Sequence, residues 1–161
     1  MKEVKIESTL LVYEGIKELP DEVKSLMEEA QNARKNAYAP YSNFFVGAAL
    51  MLDNGEIITG NNQENASYPS GLCAERTAIY YAGAQFPDTK ILKMALTAGP
   101  ADSQTNTPVP PCGACRQAIA EYEVKQEQPI EIYFMGTVGK VAKSGSLSDL
   151  LPLIFDRSLL K

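Results

Sequence analysis

Residues 44–52 read FFVGAALML, an apolar run of strand length, followed by Asn54-Gly55 and then EIITGN. An Asn-Gly pair between two such segments is the strongest short-range signal for a β-hairpin. It commits the middle of the chain to a sheet with at least one antiparallel pair. Beyond the hairpin the pattern alternates. CAERTAIYYAGA (73–84) suits a helix, with Ala74, Ala78 and Tyr81 spaced along its faces, and ILKMALTA (91–98) a buried strand. A polar, proline-rich loop spans 99–111, CGACRQAIAEYE (112–123) suits a second helix, and PIEIYFMG (129–136) alternates as a strand. Strand–helix alternation after a hairpin predicts an α/β sandwich with a mixed sheet.

The flanks are less regular. EVKIESTLLV (3–12) partly alternates and reads as an edge strand. PDEVKSLMEEAQNARKN (20–36) reads as a helix. Pro20 suits the first turn, Asp21 and Glu22 lie at the positive end of the dipole, and Val23, Leu26, Met27, Ala30 and Ala33 form one core-facing stripe. SDLLPLIF (148–155) reads as a short helix interrupted at Pro152.

Composition narrows the function classes. A chain of 161 residues, 45% hydrophobic and 22% charged, fits one globular domain. The net charge is -5 and no stretch concentrates Lys and Arg, so a nucleic-acid partner is not expected. No apolar run approaches the ~20 residues that span a bilayer. MKEVKIESTL does not read as a signal peptide, and the expected location is the cytoplasm, where thiols stay reduced.

There are three cysteines, Cys73, Cys112 and Cys115, and no histidine. An odd count argues against a disulfide framework. Without imidazole, a transition-metal site must use Cys, Asp or Glu. All three thiols fall at predicted helix starts, where the dipole favours thiolate. Cys112 and Cys115 lie on one face of a first turn and can share one metal, with Cys73 supplying a third ligand. Three protein ligands leave one tetrahedral position open, the mark of catalytic zinc, although a carboxylate closing the site would make it structural. Glu75, two residues after Cys73, could be that ligand or could stay free to act on a water at the metal. Three thiolates overcompensate Zn(II). Arg76 could draw charge from sulfur, with Arg116 a weaker candidate. A redox C-x-x-C would leave Cys73 and its CAER context unexplained, and inert buried thiols would not all gather at helix starts.

C-x-E followed by P-C-x-x-C is the signature of zinc nucleoside deaminases. With AYAPYSNFFVGAAL (37–50), TGNNQENASYPSGLCAERTAI (59–79) and PCGACRQ (111–117), this sequence resembles the small cytidine deaminases of pyrimidine salvage. The likeness runs from about residue 25 to 136, and LSDLLPLIF also fits. It implies a three-layer α/β/α sandwich with a mixed, mainly five-stranded sheet. The chain would be a single domain over 1–161, with 1–19 an N-terminal extension. The implied activity is hydrolytic deamination of cytidine and 2′-deoxycytidine, with one Zn(II) per chain on Cys73, Cys112 and Cys115 and with Glu75 as proton carrier. By the same resemblance, the main chain at Ala74 contacts the base, Phe44 packs on the ring, and Asn62 and Glu64 hold the ribose 3′-hydroxyl. Strand alternation sends Phe44 and Phe45 to opposite faces, so that one lines the pocket. Small members of the family resemble homotetramers, and Phe155 fits an aromatic lent to a neighbouring subunit. A sister deaminase acting on another aminated heterocycle such as blasticidin S, and a zinc-stabilised binding module without turnover, are the rival readings.

Overall fold

The computed structural model describes residues 1–160. Phe44–Leu52 forms β2 and Ile57–Asn61 forms β3, antiparallel to it across the Asn54-Gly55 turn. Gly55 takes a φ of 88°, which an L side chain resists. Ile91–Pro100 forms β4 on the other side of β2, again antiparallel. Glu131–Met135 forms β5, parallel to β4, and Val141–Ser144 forms β6, antiparallel to β5. Leu10–Tyr13 forms β1 on the outer edge of β6.

The sheet order is β1-β6-β5-β4-β2-β3, so it has six strands rather than the five expected. The additional strand comes from the segment before residue 20. It is also shorter than the 3–12 expected, because Val4 and Ile6 remain exposed and do not pair. Thr9 N–H donates to Asp149 Oδ1 at 3.0 Å, where the chain joins the sheet, and Leu19 is buried under it.

Helices cover both faces. Asp21–Arg34 forms α1, whose predicted stripe of Val23, Leu26, Met27, Ala30 and Ala33 is buried throughout. It packs on the sheet face that carries Ala49, Ala95, Tyr133 and Met135. Ala74–Gln85 forms α2 and Gly113–Gln126 forms α3; they cover the opposite face, with Leu50, Met94, Leu96, Ile132 and Phe134 beneath. Period-two alternation along β2, β4 and β5 divides the core into these two layers. On α2, Ala74, Ala78 and Ala82 are buried, but Tyr81 is exposed and takes no part in the core. The helix sits very close to β3: a Cβ on Gly60 would stand 2.5 Å from the Ala74 carbonyl oxygen.

The predicted C-terminal helix does not form. Leu147–Asp149 makes a 3₁₀ turn anchored by buried Leu147 and Leu150, and Pro152, which has no N–H to donate, stops it from growing. Among the described residues, no helix is long and apolar enough to cross a membrane.

Because β2 is antiparallel to both β3 and β4, the start of β2 and the ends of β3 and β4 share one edge of the sheet. The loops leading into α2 and α3 depart from that edge. Open α/β sheets place ligand sites at such an edge.

Candidate active site

Cys73 is the N-cap of α2, and Cys112 is the N-cap of α3. Neither helix start has a side-chain cap, so the first-turn N–H groups of both helices are left without side-chain partners beside the cysteines. Cys115 follows in the first turn of α3 and is fully buried. The three Sγ atoms lie within 4.8 Å of one another, and the Cys112 and Cys115 sulfurs are 3.5 Å apart. A tetrahedral zinc with Zn–S bonds of about 2.3 Å requires sulfurs about 3.8 Å apart.

The electrostatics fit a cation. The Cys73 thiol is pulled down to about 5, first by the hydrogen bond from Cys115 and then by Arg76, against burial. Cys115 is pushed far up by the same hydrogen bond and by burial. The Cys73 and Cys115 thiols thus share one hydrogen bond and are driven in opposite directions by it, the mark of sulfurs held close together. Arg76 Nη2 donates to Cys73 Sγ at 3.5 Å, a contact that raises the guanidinium's own pKa. Arg76 Nε is buried and has no partner. Arg116 plays a different part from the one expected. It donates to the Pro111 and Leu150 carbonyls and touches no sulfur, so it ties the C-terminal turn to the start of α3.

Cys73, Glu75 and Cys112 open into a cavity of about 590 Å³. Glu75 is 5% exposed, and burial raises its carboxyl above the ordinary value. Ala74, between Cys73 and Glu75 in the first turn of α2, is fully buried, and its side chain is not part of the cavity lining. Phe44, Val46, Leu96 and Ala98 make an apolar wall. Phe44 is therefore the member of the Phe44-Phe45 pair that faces the cavity.

Asn62 and Glu64 line the other end. The Asn62 amide bridges β2: Nδ2 donates to the Phe44 carbonyl at 2.9 Å and Oδ1 accepts from Val46 N–H at 2.8 Å. Glu64 accepts from Ser42 Oγ and from the N–H groups of Tyr41 and Ser42. The Ser42 hydroxyl is the first cause holding its carboxyl below the usual range. Phe155 lies outside the cavity; it is 58% exposed, and its carbonyl accepts from Gln117 Nε2.

Several contributors were not singled out from the sequence. Ser42 holds Glu64, and Asn43, at a φ of 53°, shapes the turn that carries it. Asn tolerates that conformation, so the SNF run held a signal. Tyr41 and Tyr68 meet edge to face at 6.0 Å on the rim, and Val109 and Pro110 close the side toward Cys112. None of these four carries a spacing signature.

The family model for the cytidine and deoxycytidylate deaminase zinc-binding region matches residues 20–128. The chain belongs to this family. It is 42% identical over 130 residues to a cytidine deaminase of Halalkalibacterium halodurans, covering 81% of this chain and 91% of that one. It is 38% identical over 136 residues to one from Sporosarcina psychrophila, covering 84% and 93%. The fold matches the crystal structure of cytidine deaminase from Burkholderia pseudomallei with a TM-score of 0.70 and 40% identity, over 81% of this chain and 97% of that one. The Mycobacterium tuberculosis enzyme matches with a TM-score of 0.65 and 30% identity, over 85% and 99%. In this member of the family the zinc-binding region brings one three-cysteine cluster together, and that cluster fits one zinc ion.

Proposed function

We propose that this protein hydrolyses the C4 amino group of cytidine and 2′-deoxycytidine, giving uridine and 2′-deoxyuridine for pyrimidine salvage. The observation that carries the reading is the buried Glu75 carboxyl opening into the same cavity as Cys73 and Cys112, beside an apolar wall of Phe44, Val46, Leu96 and Ala98. Bound zinc supplies a Lewis acid that makes water nucleophilic at neutral pH. The chain's residues do the rest. Phe44 packs on the pyrimidine and excludes water, and the main chain at Ala74 orients the base. Glu75 takes one proton from the attacking water and places it on ring N3. It then carries the water's second proton to the departing amine. A C4–O bond forms, the C4–N bond breaks, and ammonia leaves. Arg76 draws charge from the Cys73 sulfur, which keeps three thiolates compatible with a Lewis acid.

At the sugar end, Asn62 keeps one N–H and Glu64 keeps acceptor capacity after their internal bonds. One donor and one acceptor suffice to clamp a 3′-hydroxyl. Neither distinguishes ribose from deoxyribose. Among the described residues lining the cavity, Arg76 is the sole cation and it faces sulfur. A 5′-phosphate would therefore find no free positive charge, which favours nucleosides over nucleotides.

The reading extends to a homotetramer in which Phe155, exposed and outside its own cavity, serves a neighbouring subunit. It treats the chain as a single domain with 1–19 as an extension, working in the cytoplasm where its thiols stay reduced. The test is turnover by zinc-loaded protein, followed by ultraviolet absorbance on cytidine, deoxycytidine, dCMP and blasticidin S, alongside light scattering for the assembly. Turnover of both nucleosides and not of dCMP is expected. Intact cytidine after prolonged incubation rejects the assignment.

A further inference from the structure

Arg34 is the last residue of α1, on the sheet face away from the cavity, and the activity proposed above gives it no task. Its guanidinium has no carboxylate within 4.0 Å among the described residues. It spends its donors on three main-chain carbonyls. Nε donates to Phe45 at 2.9 Å, and Nη2 donates to Gly99 at 2.6 Å and to Pro100 at 2.9 Å. These carbonyls belong to two adjacent strands, at the end of their ladder. Phe45 pairs with Gly99, and Phe44 with Pro100.

That rung supports both walls of the cavity. Phe44 stands on it from β2. From Pro100 the chain enters the loop that returns as Val109, Pro110 and Cys112. The loop is tied down at its middle, where Thr105 N–H donates to Thr137 Oγ1 and Thr105 O accepts from Val138 N–H, and at its far end, where Arg116 Nε donates to the Pro111 carbonyl. Terminal rungs of a sheet open most readily. A guanidinium fork can reach carbonyls of two strands in fixed geometry, whereas an ammonium is a single point of attachment. The preceding residue extends the anchor to the third strand, since Asn61 Nδ2 donates to the Ala33 carbonyl at 3.0 Å. Asn62, next in the chain, lines the sugar end.

We propose that Arg34 is a positioning residue for the substrate. From behind the sheet it clamps the Phe44–Pro100 rung and so sets the gap between the Phe44 wall and the Val109–Pro110 wall. The proposal rests on the nucleoside deaminase reading. It predicts a loss of ground-state and transition-state binding alike, which raises KM and leaves kcat in place.

Arg34→Met and Arg34→Lys, each loaded with zinc, test this with cytidine kinetics, zinc content and uridine inhibition. Expected for Arg34→Met is a KM rise of about tenfold, kcat within about twofold, and the same rise in the uridine inhibition constant. Zinc stays at the wild-type level, and Arg34→Lys falls between the two. A merely structural role lowers the melting temperature without moving KM, and that result overturns the proposal. So does a fall in kcat at constant KM, or loss of zinc. Insolubility of both variants makes Arg34 a folding determinant and overturns it too. Wild-type protein that leaves cytidine intact removes the deaminase reading itself, whereas active wild type with unchanged KM in both variants removes only the role of Arg34.

Discussion

The two ends of the cavity differ in how their polar groups are satisfied. At the end proposed to take the sugar, Asn62 and Glu64 are held by their own chain, through Phe44, Val46, Tyr41 and Ser42. At the cysteine end, three sulfurs crowd together and Arg76 Nε is buried without a partner. Buried polar groups are normally paired, so an unpaired one needs an explanation. One end is complete before any ligand arrives; at the other, three sulfurs are placed to share one cation and a buried guanidinium N–H still lacks an acceptor. The difference teaches where each kind of loss should appear. Damage at the cysteine end should reach metal or kcat, and damage at the sugar end should reach KM.

The largest effect should come from Glu75→Ala. The proposed proton carrier is lost while the sulfurs stay, so kcat should fall by about 10²–10⁴ with zinc content unchanged. Zinc loss in that variant would break the distinction between carrier and ligand. Arg76→Gln should come next, at about 10–100-fold in zinc affinity or rate, because it leaves the Cys73 sulfur without its donor. Chelator titration with kinetics separates these two readouts, and wild-type values in both would mean that Arg76 does not temper the thiolates. At the sugar end, Glu64→Ala should raise KM about tenfold, the scale of one hydrogen bond to a charged group, and should do so equally for cytidine and deoxycytidine. A drop confined to kcat would show that the ends are not separate.

The smallest effect lies outside both ends. Burial pushes the Glu131 carboxyl up, but the Lys143 ammonium beside it more than offsets this, so its pKa in the folded protein lies below the ordinary value. A depressed folded pKa contributes stability above the unfolded value of about 4.3, and that stability is lost as pH falls through the folded value. Glu131→Gln should therefore cost under about 1 kcal/mol at neutral pH, given the partial exposure of the pair. The cost should vanish in acid, without any change in KM or kcat. Urea melts at pH 7 and pH 3 check it.

The legible parts of the molecule were those whose cause is local. The α1 stripe, the β2–β3 hairpin and the helix starts at Cys73 and Cys112 each follow from period, turn chemistry or spacing within a few residues. The sixth strand was half legible. TLLV has strand character, but only Asp149 and β6 decide where pairing begins. The C-terminal helix failed because Leu147 and Leu150 are anchors for the core, not one face of a helix. Spacing put Ala74, Ala78 and Tyr81 on faces of α2 without saying which is inward; the alanines face β3 and Tyr81 is exposed.

By itself, the sequence determined the ligand chemistry. Three thiols, no histidine and a carboxylate two residues from Cys73 leave few ways to build a metal site, since ligand type is a property of side chains. Tertiary structure decided which groups meet. Cys73 and Cys115 come together because β3 and β4 end at one edge and send α2 and α3 back over the same face. It also decided that Arg116 holds carbonyls and not sulfur, and that Arg34 joins the Phe45, Gly99 and Pro100 carbonyls from behind the sheet. Such partners are set by long-range packing, and residues 34 and 99 have no local pattern that brings them together.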